Sequence, residues 1–221
     1  MLVLPDEETR HVVQVMRMKV GEQINIVDGK GIWYKANIVE LMRKHCAVKI
    51  FETEDRSALH DYKVNIAIAP TKNINRFEWF LEKVTEIGIN SISPIFCERS
   101  ERKKVRMDRL HKVMVAAMKQ SLKAKLPLLN EPVRFDDFVE QKLEEQKFIA
   151  YLGEDVKGHL KSNYEKEQNV TILIGPEGDF SDDEIQKAKG KGFIGVSLGP
   201  SRLRTETAGI AACHIINLLN Q

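Results

Sequence analysis

A chain of 221 residues, 43% hydrophobic and 30% charged with only 7 prolines and 13 glycines, can bury a core in one or two domains. Its composition is neither collagen-like nor disordered, and no apolar run approaches the roughly 20 residues of a membrane span. The formal net charge of +2 is polarised: residues 1–60 are neutral, 61–130 carry 14 basic and 7 acidic side chains, and 131–221 carry 11 basic and 16 acidic.

The first sixty residues read as short β segments. Gln23–Val27 and Ile32–Val39 flank the tight-turn dipeptide Asp28-Gly29, and His45–Glu52 alternates with Val, Ile and Phe. The polar stretch Glu52–Asp61 is the expected boundary, giving a small β-barrel-like domain over 1–60 and a second domain over 61–221. From Val64 the rhythm becomes strand and helix in turn. Val64–Ala69 is a buried-type strand, Phe77, Phe80, Leu81 and Val84 recur at helical spacing up to Gly88, and Ile92–Phe96 is another strand. A basic helix follows and ends before Pro127. Phe135–Glu145 is predicted helical, and Phe148–Leu152 and Val170–Ile174 are predicted strands. Ser181-Asp-Asp-Glu184 has the form of a capping box and predicts a helix to about Lys189. Ile194–Leu198 is the last strand, and Ala208, Ala211, Ala212, Ile215, Ile216 and Leu219 mark the buried face of a final helix. This alternation predicts an α/β fold with a mostly parallel sheet and helices on both faces. Trp33 and Trp79 are expected in the core, and His11, beside Val12 and Val13, is expected to be structural.

Between Glu98 and Lys125 lie ten Lys or Arg and three acids. In the basic helix Leu110, Met114, Ala117 and Ser121 form one face, and Arg109, Lys112, Lys119 and Lys123 the other. Arg99, Arg102, Lys103, Lys104 and Arg106 extend the patch with Glu101 the one acid among them, which favours a polyanion-facing surface over a merely solvated helix back. Cys46, Cys97 and Cys213 are odd in number, far apart and without a CxxC pair. Neither a disulfide framework nor a zinc site is expected, and the six histidines have no metal-ligand spacing. The first eight residues turn acidic at Asp6, unlike a secretory signal. A cytoplasmic protein with no membrane or metal partner is the expectation.

Gly190-Lys-Gly-Phe-Ile-Gly195 matches GxGxxG but follows a helix and leads into a strand, the reverse of a dinucleotide-binding loop, so its glycines read as helix stops. The stronger signal is Ile174-Gly-Pro-Glu-Gly-Asp-Phe-Ser181, a turn directly after a buried strand, at the sheet edge where open α/β sheets bind ligands. A second loop, Leu198-Gly-Pro-Ser-Arg-Leu-Arg-Thr-Glu-Thr-Ala208, has the same strand-loop-helix setting and adds charged side chains. Two such loops on neighbouring strands predict one shared pocket. Phe180 is read as packing beneath the first loop, with base stacking as the other reading.

These two loops resemble the SPOUT-class methyltransferases, and more narrowly the ribosomal RNA small subunit methyltransferase E family. The resemblance extends over nearly the whole chain: His11, Met16-Arg17 and Gly21 at the start; Lys72, Arg76, Glu78 and Lys83-Val-Thr-Glu-Ile-Gly88; then Arg99-Ser100, Gln120-Ser121 and Leu126-Pro127. It implies a PUA-like β-barrel ahead of a trefoil-knotted α/β domain, a homodimer, and methylation of uridine N3 in 16S rRNA, as naked RNA or in the small ribosomal subunit. It also implies S-adenosylmethionine held by Ile174, Gly175, Pro176, Gly178, Leu198, Gly199 and Leu203, with Arg204, Thr205, Thr207 and Ala208 closing the site. Arg17, Lys72, Arg76, Arg99, Arg102, Lys103, Arg109 and Lys123 become the expected RNA contacts. Asp179 and Ser201 depart from the family pattern, which has glycine and arginine there, Lys123 replaces an arginine, and the family has a first strand bearing basic residues ahead of Leu4-Pro5, so the barrel is expected to be short of that strand and of some RNA contacts.

For such a reaction the imide proton must leave N3, and charge spreads onto O2 and O4. Arg204 is the expected stabiliser of that charge, with Glu206 or Glu177 as general base or as a group orienting Arg204 or the cofactor amine. Other readings are a SPOUT enzyme with a ribose 2′-hydroxyl acceptor, and a non-catalytic RNA-binding protein on the same fold.

Overall fold

The computed structural model describes residues 1–57, 62–143, 146–156 and 158–221. They divide into two units, Met1–Leu59 with Leu122–Leu126, and His60–Ser121 with Pro127–Gln221. Residues 58–61 of the expected boundary lie outside the described residues.

In the first unit β1 (Leu2–Val3) is followed by α1 (Asp6–Arg10), which runs on into a π-helical turn at His11–Val15. Then come β2 (Gln23–Val27), β3 (Ile32–Met42) and β4 (His45–Asp55), in an antiparallel sheet of order β1-β4-β3-β2. A strand is present ahead of Leu4-Pro5: Leu2–Val3 pairs antiparallel with β4, and it carries no charge. Leu4, Val12, Ala36, Ile38, Cys46 and Val48 pack together as its core. Neighbouring helical positions diverge by about 100°, so burying Val12 leaves His11 exposed rather than structural. Residues 122–126 join this unit through main-chain bonds: the Gly31 N–H donates to Ala124 O at 3.1 Å and the Leu126 N–H to Gly29 O at 2.8 Å.

The second unit begins with β5 (Val64–Ile68), α2 (Ile74–Ile87), β6 (Ser91–Phe96) and α3 (Met107–Gln120). Short β7 (Leu128–Leu129), β8 (Val133–Arg134) and α4 (Phe135–Val139) lead to β9 (Gln146–Ala150) and α5 (Leu160–Asn163). β10 (Val170–Ile174), α6 (Asp182–Gly190), β11 (Ile194–Val196) and α7 (Thr205–Leu219) complete it. The sheet order is β11-β9-β10-β5-β6-β7, with β8 also on β6, and every pairing is parallel. β10 is inserted between β5 and β9, two strands that precede it in the chain. With both faces covered, its five residues are all buried, as a continuous apolar run requires.

Strand alternation assigns the faces. Ala67, Ile149 and Leu173 pack with Phe135, Phe138, Ile185 and Ala188 of α4 and α6. Ile68 faces the other way, toward α2 and α7, where Gly209 lets α7 approach closely. A Cβ at Gly209 would lie 2.5 Å from Phe80 and 2.9 Å from Ile68. Gly209→Ala is therefore expected to cost about 1–3 kcal/mol through overpacking, read as a drop of several degrees in melting temperature; an unchanged melting temperature would show that α7 has room to shift.

Three local predictions shift. α4 stops at Val139, so the expected helix Phe135–Glu145 is cut to one turn, and Glu144 and Glu145 lie outside the described residues. β9 sits two residues earlier than expected because its register follows β10. Trp79 is 46% exposed: Phe77, Phe80, Leu81 and Val84 define the buried face of α2, and position 79 falls outside that stripe. The Ser181 capping box is present as read, with the Glu184 side chain returning to the Ser181 N–H. Cys46, Cys97 and Cys213 are all buried and form no disulfide among the described residues, and burial pushes the Cys97 thiol far up. No helix among the described residues is long and apolar enough to cross a membrane.

Candidate active site

Parallel pairing of β9 with both β10 and β11 brings three strand ends to one edge of the sheet. The loops leaving them enclose a cleft of about 290 Å³, near the low end of the roughly 300–1,000 Å³ usual for small-molecule sites. Its wall holds Ala150, Tyr151 and Leu152 after β9, Ile174, Gly175, Pro176, Glu177 and Asp179 after β10, and Leu198, Gly199, residues 201–205 and Ala208 after β11.

The first loop is held from several sides. The Asp179 N–H donates to Pro176 O at 2.9 Å, closing a turn, and Arg99 donates to Gly178 O and Phe180 O at 3.1 Å each. Phe180 is 2% exposed, its ring 5.5 Å from that of Phe135, so it supports the loop and is not free to stack on a base. Gly175 lies directly over it: a Cβ there would be 3.1 Å from the Phe180 ring.

The second loop meets the first through one bond. The buried Thr205 hydroxyl donates to Gly175 O at 3.0 Å. Gly199 adopts φ +138° with open space where a side chain would stand, a conformation that suits glycine alone. Arg202 and Arg204 are exposed at the cleft wall. Beside it, the Tyr151 hydroxyl donates to Asp155 at 2.9 Å. Hydrogen bonds from Lys189 and then Tyr151 hold the Asp155 carboxyl below the usual range, while burial pushes the Tyr151 phenol up.

Of the residues expected to hold a cofactor, Ile174, Gly175, Pro176, Leu198, Gly199, Leu203, Arg204, Thr205 and Ala208 line this cleft. Gly178 does not; its Cβ direction meets Arg99 at 3.3 Å. α7 starts at Thr205, three residues before the predicted apolar stripe. On a helix Thr205 and Ala208 then share a face and line the cleft, while Glu206 and Thr207 turn away from it. Glu206 is 5% exposed, 3.9 Å from the Arg76 guanidinium, and its Oε2 has no hydrogen-bond partner among the described residues. Glu177 does reach the wall, with Oε1 accepting from the Lys72 N–H at 2.9 Å. Ala150, Tyr151, Leu152, Asp179, Ser201 and Arg202 complete the wall beyond the expected set. The β9 residues gave no sequence signal, since only the strand order puts them beside β10.

Much of the basic stretch is engaged within the protein. Arg102 donates to Thr71 O at 2.9 Å and Lys72 O at 2.6 Å, Lys103 to Cys97 O at 3.3 Å, and Arg109 to Glu78 at 2.8 Å, while Lys72 pairs with Glu101 at 2.7 Å. Arg17 is exposed at φ 54° and Lys123 is half-buried, both in the first unit.

Known proteins are similar to this chain over nearly its whole length. A solved structure from Porphyromonas gingivalis, described as a probable rRNA-methyltransferase, is 41% identical with a TM-score of 0.92, the match covering 99% of this chain and 93% of that one. The ribosomal RNA small subunit methyltransferase E of Neisseria gonorrhoeae, solved bound to S-adenosyl methionine, is 25% identical with a TM-score of 0.89, covering 99% and 92%. The protein of the same name from Buchnera aphidicola (subspecies Acyrthosiphon pisum) is 27% identical over 215 residues, 95% of this chain and 84% of its own. An RNA methyltransferase PUA domain model matches residues 4–51. An RNA methyltransferase domain model matches residues 58–217, most of the second unit and its cleft included, and the chain belongs to that RNA methyltransferase family.

Proposed function

We propose that this protein is an S-adenosylmethionine-dependent methyltransferase of small-subunit ribosomal RNA, working in the cytoplasm, with uridine N3 as its acceptor. The observation that carries the reading is the Thr205–Gly175 hydrogen bond of 3.0 Å, which makes one cleft of two glycine-proline loops. The cleft suits the cofactor chemically. Ile174, Leu198, Leu203, Ala208 and Leu152 offer apolar walls for an adenosyl group, and Gly175 and Gly199 let it approach the main chain. When bound, the cofactor supplies an electrophilic methyl group on a positively charged sulfur.

The protein's own groups then act on the acceptor. Arg204, at the mouth of α7, donates hydrogen bonds to the base oxygens that gain charge as N3 loses its proton. Glu177, one of the two carboxylates on the wall, takes the role of base. Glu206, turned toward Arg76, holds that guanidinium beside the α7 terminus and acts on the reaction only through it. Holding acceptor and donor in line supplies the remaining acceleration. Arg17, Lys72, Arg76, Arg99, Arg102, Lys103, Arg109 and Lys123 are assigned to the RNA. Those bonded internally act through their field, as salt-dependent counterion release. The knot and the homodimer belong to the same proposal; Trp79 on α2 and Leu218 on α7, 46% and 56% exposed, are large apolar side chains that these two helices leave uncovered.

Mass spectrometry of nucleosides from 16S rRNA of cells lacking this gene tests the reading. Loss of N3-methyluridine, restored by the wild-type gene, is expected. Loss of a 2′-O-methylated nucleoside instead would overturn the acceptor, and unchanged rRNA would overturn the function.

A further inference from the structure

The cleft sorts its charges by wall. Arg202 and Arg204 stand on the loop after β11, and Glu177 and Asp179 on the loop after β10. A ligand whose end carries both an ammonium and a carboxylate matches a cleft with charges of both signs; a purely anionic ligand does not.

The two acids are not equivalent. Glu177 is exposed and already accepts the Lys72 N–H. Asp179 is partly buried, and its backbone is held at φ 63°, a left-handed conformation that is unfavourable for most side chains and tolerated best by Gly, Asn and Asp. Its Oδ1 accepts the Phe180 N–H at 2.8 Å, which fixes the carboxylate and leaves Oδ2 for a ligand. The residues on either side are anchored as well, since Arg99 bonds the carbonyls of Gly178 and Phe180. Asp179 is thus an immobilised acceptor in the same cleft as two arginines, and immobilised groups lose little entropy on binding a cation.

We infer that Asp179 anchors the ammonium group of the amino-acid end of S-adenosylmethionine, with the carboxylate of that end toward Arg202. This rests on the proposed cofactor site and adds a specificity residue to it.

Calorimetry with three ligands tests it on wild type, Asp179→Asn and Asp179→Gly. Glycine suits the φ at this position, so the second variant folds without backbone strain. Both variants are expected to bind S-adenosylmethionine and S-adenosylhomocysteine roughly ten- to a hundredfold more weakly, the usual value of one hydrogen bond to a charged group. Binding of 5′-methylthioadenosine, which lacks the amino-acid end, is expected to stay within twofold of wild type. Wild-type-like affinity for both amino-acid ligands would overturn the assignment. So would a loss confined to S-adenosylmethionine, which would put Asp179 at the sulfonium, or an equal loss for all three ligands, which would make its role structural. A wild-type protein that bound none of the three would instead refute the cofactor site itself.

Discussion

Replacing Arg204 with alanine is expected to slow methyl transfer by about 10²–10³-fold, the usual loss when one donor to a developing oxyanion is removed. Arg204 sits at the N-terminal boundary of α7, where its side chain caps no main-chain group and is free to reach the cleft. The loss should fall mainly on kcat, with a smaller change in cofactor affinity measured by calorimetry, because the stabilised charge exists only as the acceptor loses its proton. Arg204→Lys should recover only part of the rate: an ammonium keeps the charge but not the planar fork that can meet a base oxygen with two N–H groups. An alanine variant that turned over at the wild-type rate would remove Arg204 from the chemistry.

Phe180→Ala is expected to be the most damaging single change to the architecture of the site. A fully buried phenylalanine truncated to alanine costs about 3–5 kcal/mol, and in a chain of this length that corresponds to a fall in melting temperature of about 6–20 °C. The ring also lies under Gly175 and against Phe135, so the loop over the cavity would lose its floor. Cofactor binding should weaken along with stability, and saturating S-adenosylmethionine should restore part of the lost melting temperature by mass action. Phe180→Leu should show a much smaller version of both effects. A melting temperature within 2 °C of wild type for the alanine variant would mean that the loop is supported elsewhere.

Where local signals and tertiary constraints agreed, the elements emerged as read. The apolar run 170–174 is a fully buried parallel strand, and the capping residues at 181 and 184 start a helix where their reciprocal bonds require one. The two glycine-proline loops were legible for the same reason, since a glycine that must lie against a ring or adopt a positive φ leaves a mark in the chain itself. Trp79 shows the cost of ranking side-chain size above period: the stripe of Phe77, Phe80, Leu81 and Val84 already turns position 79 away from the buried face.

The residue string alone determined the strand-helix alternation, the basic middle of the chain and the pair of loops, because each depends on spacing within a few residues. Only the folded molecule decided which side chains enter the cleft. Starting α7 at Thr205 places Thr205 and Ala208 on its wall and rotates Glu206 toward Arg76, a distinction of about 100° per residue that the loop's polar composition does not contain. Inserting β10 between β5 and β9 likewise puts Tyr151 and Leu152 beside the motif loop from outside it in sequence. Strand order follows from how the whole sheet buries its two faces, and no short stretch of the chain encodes it.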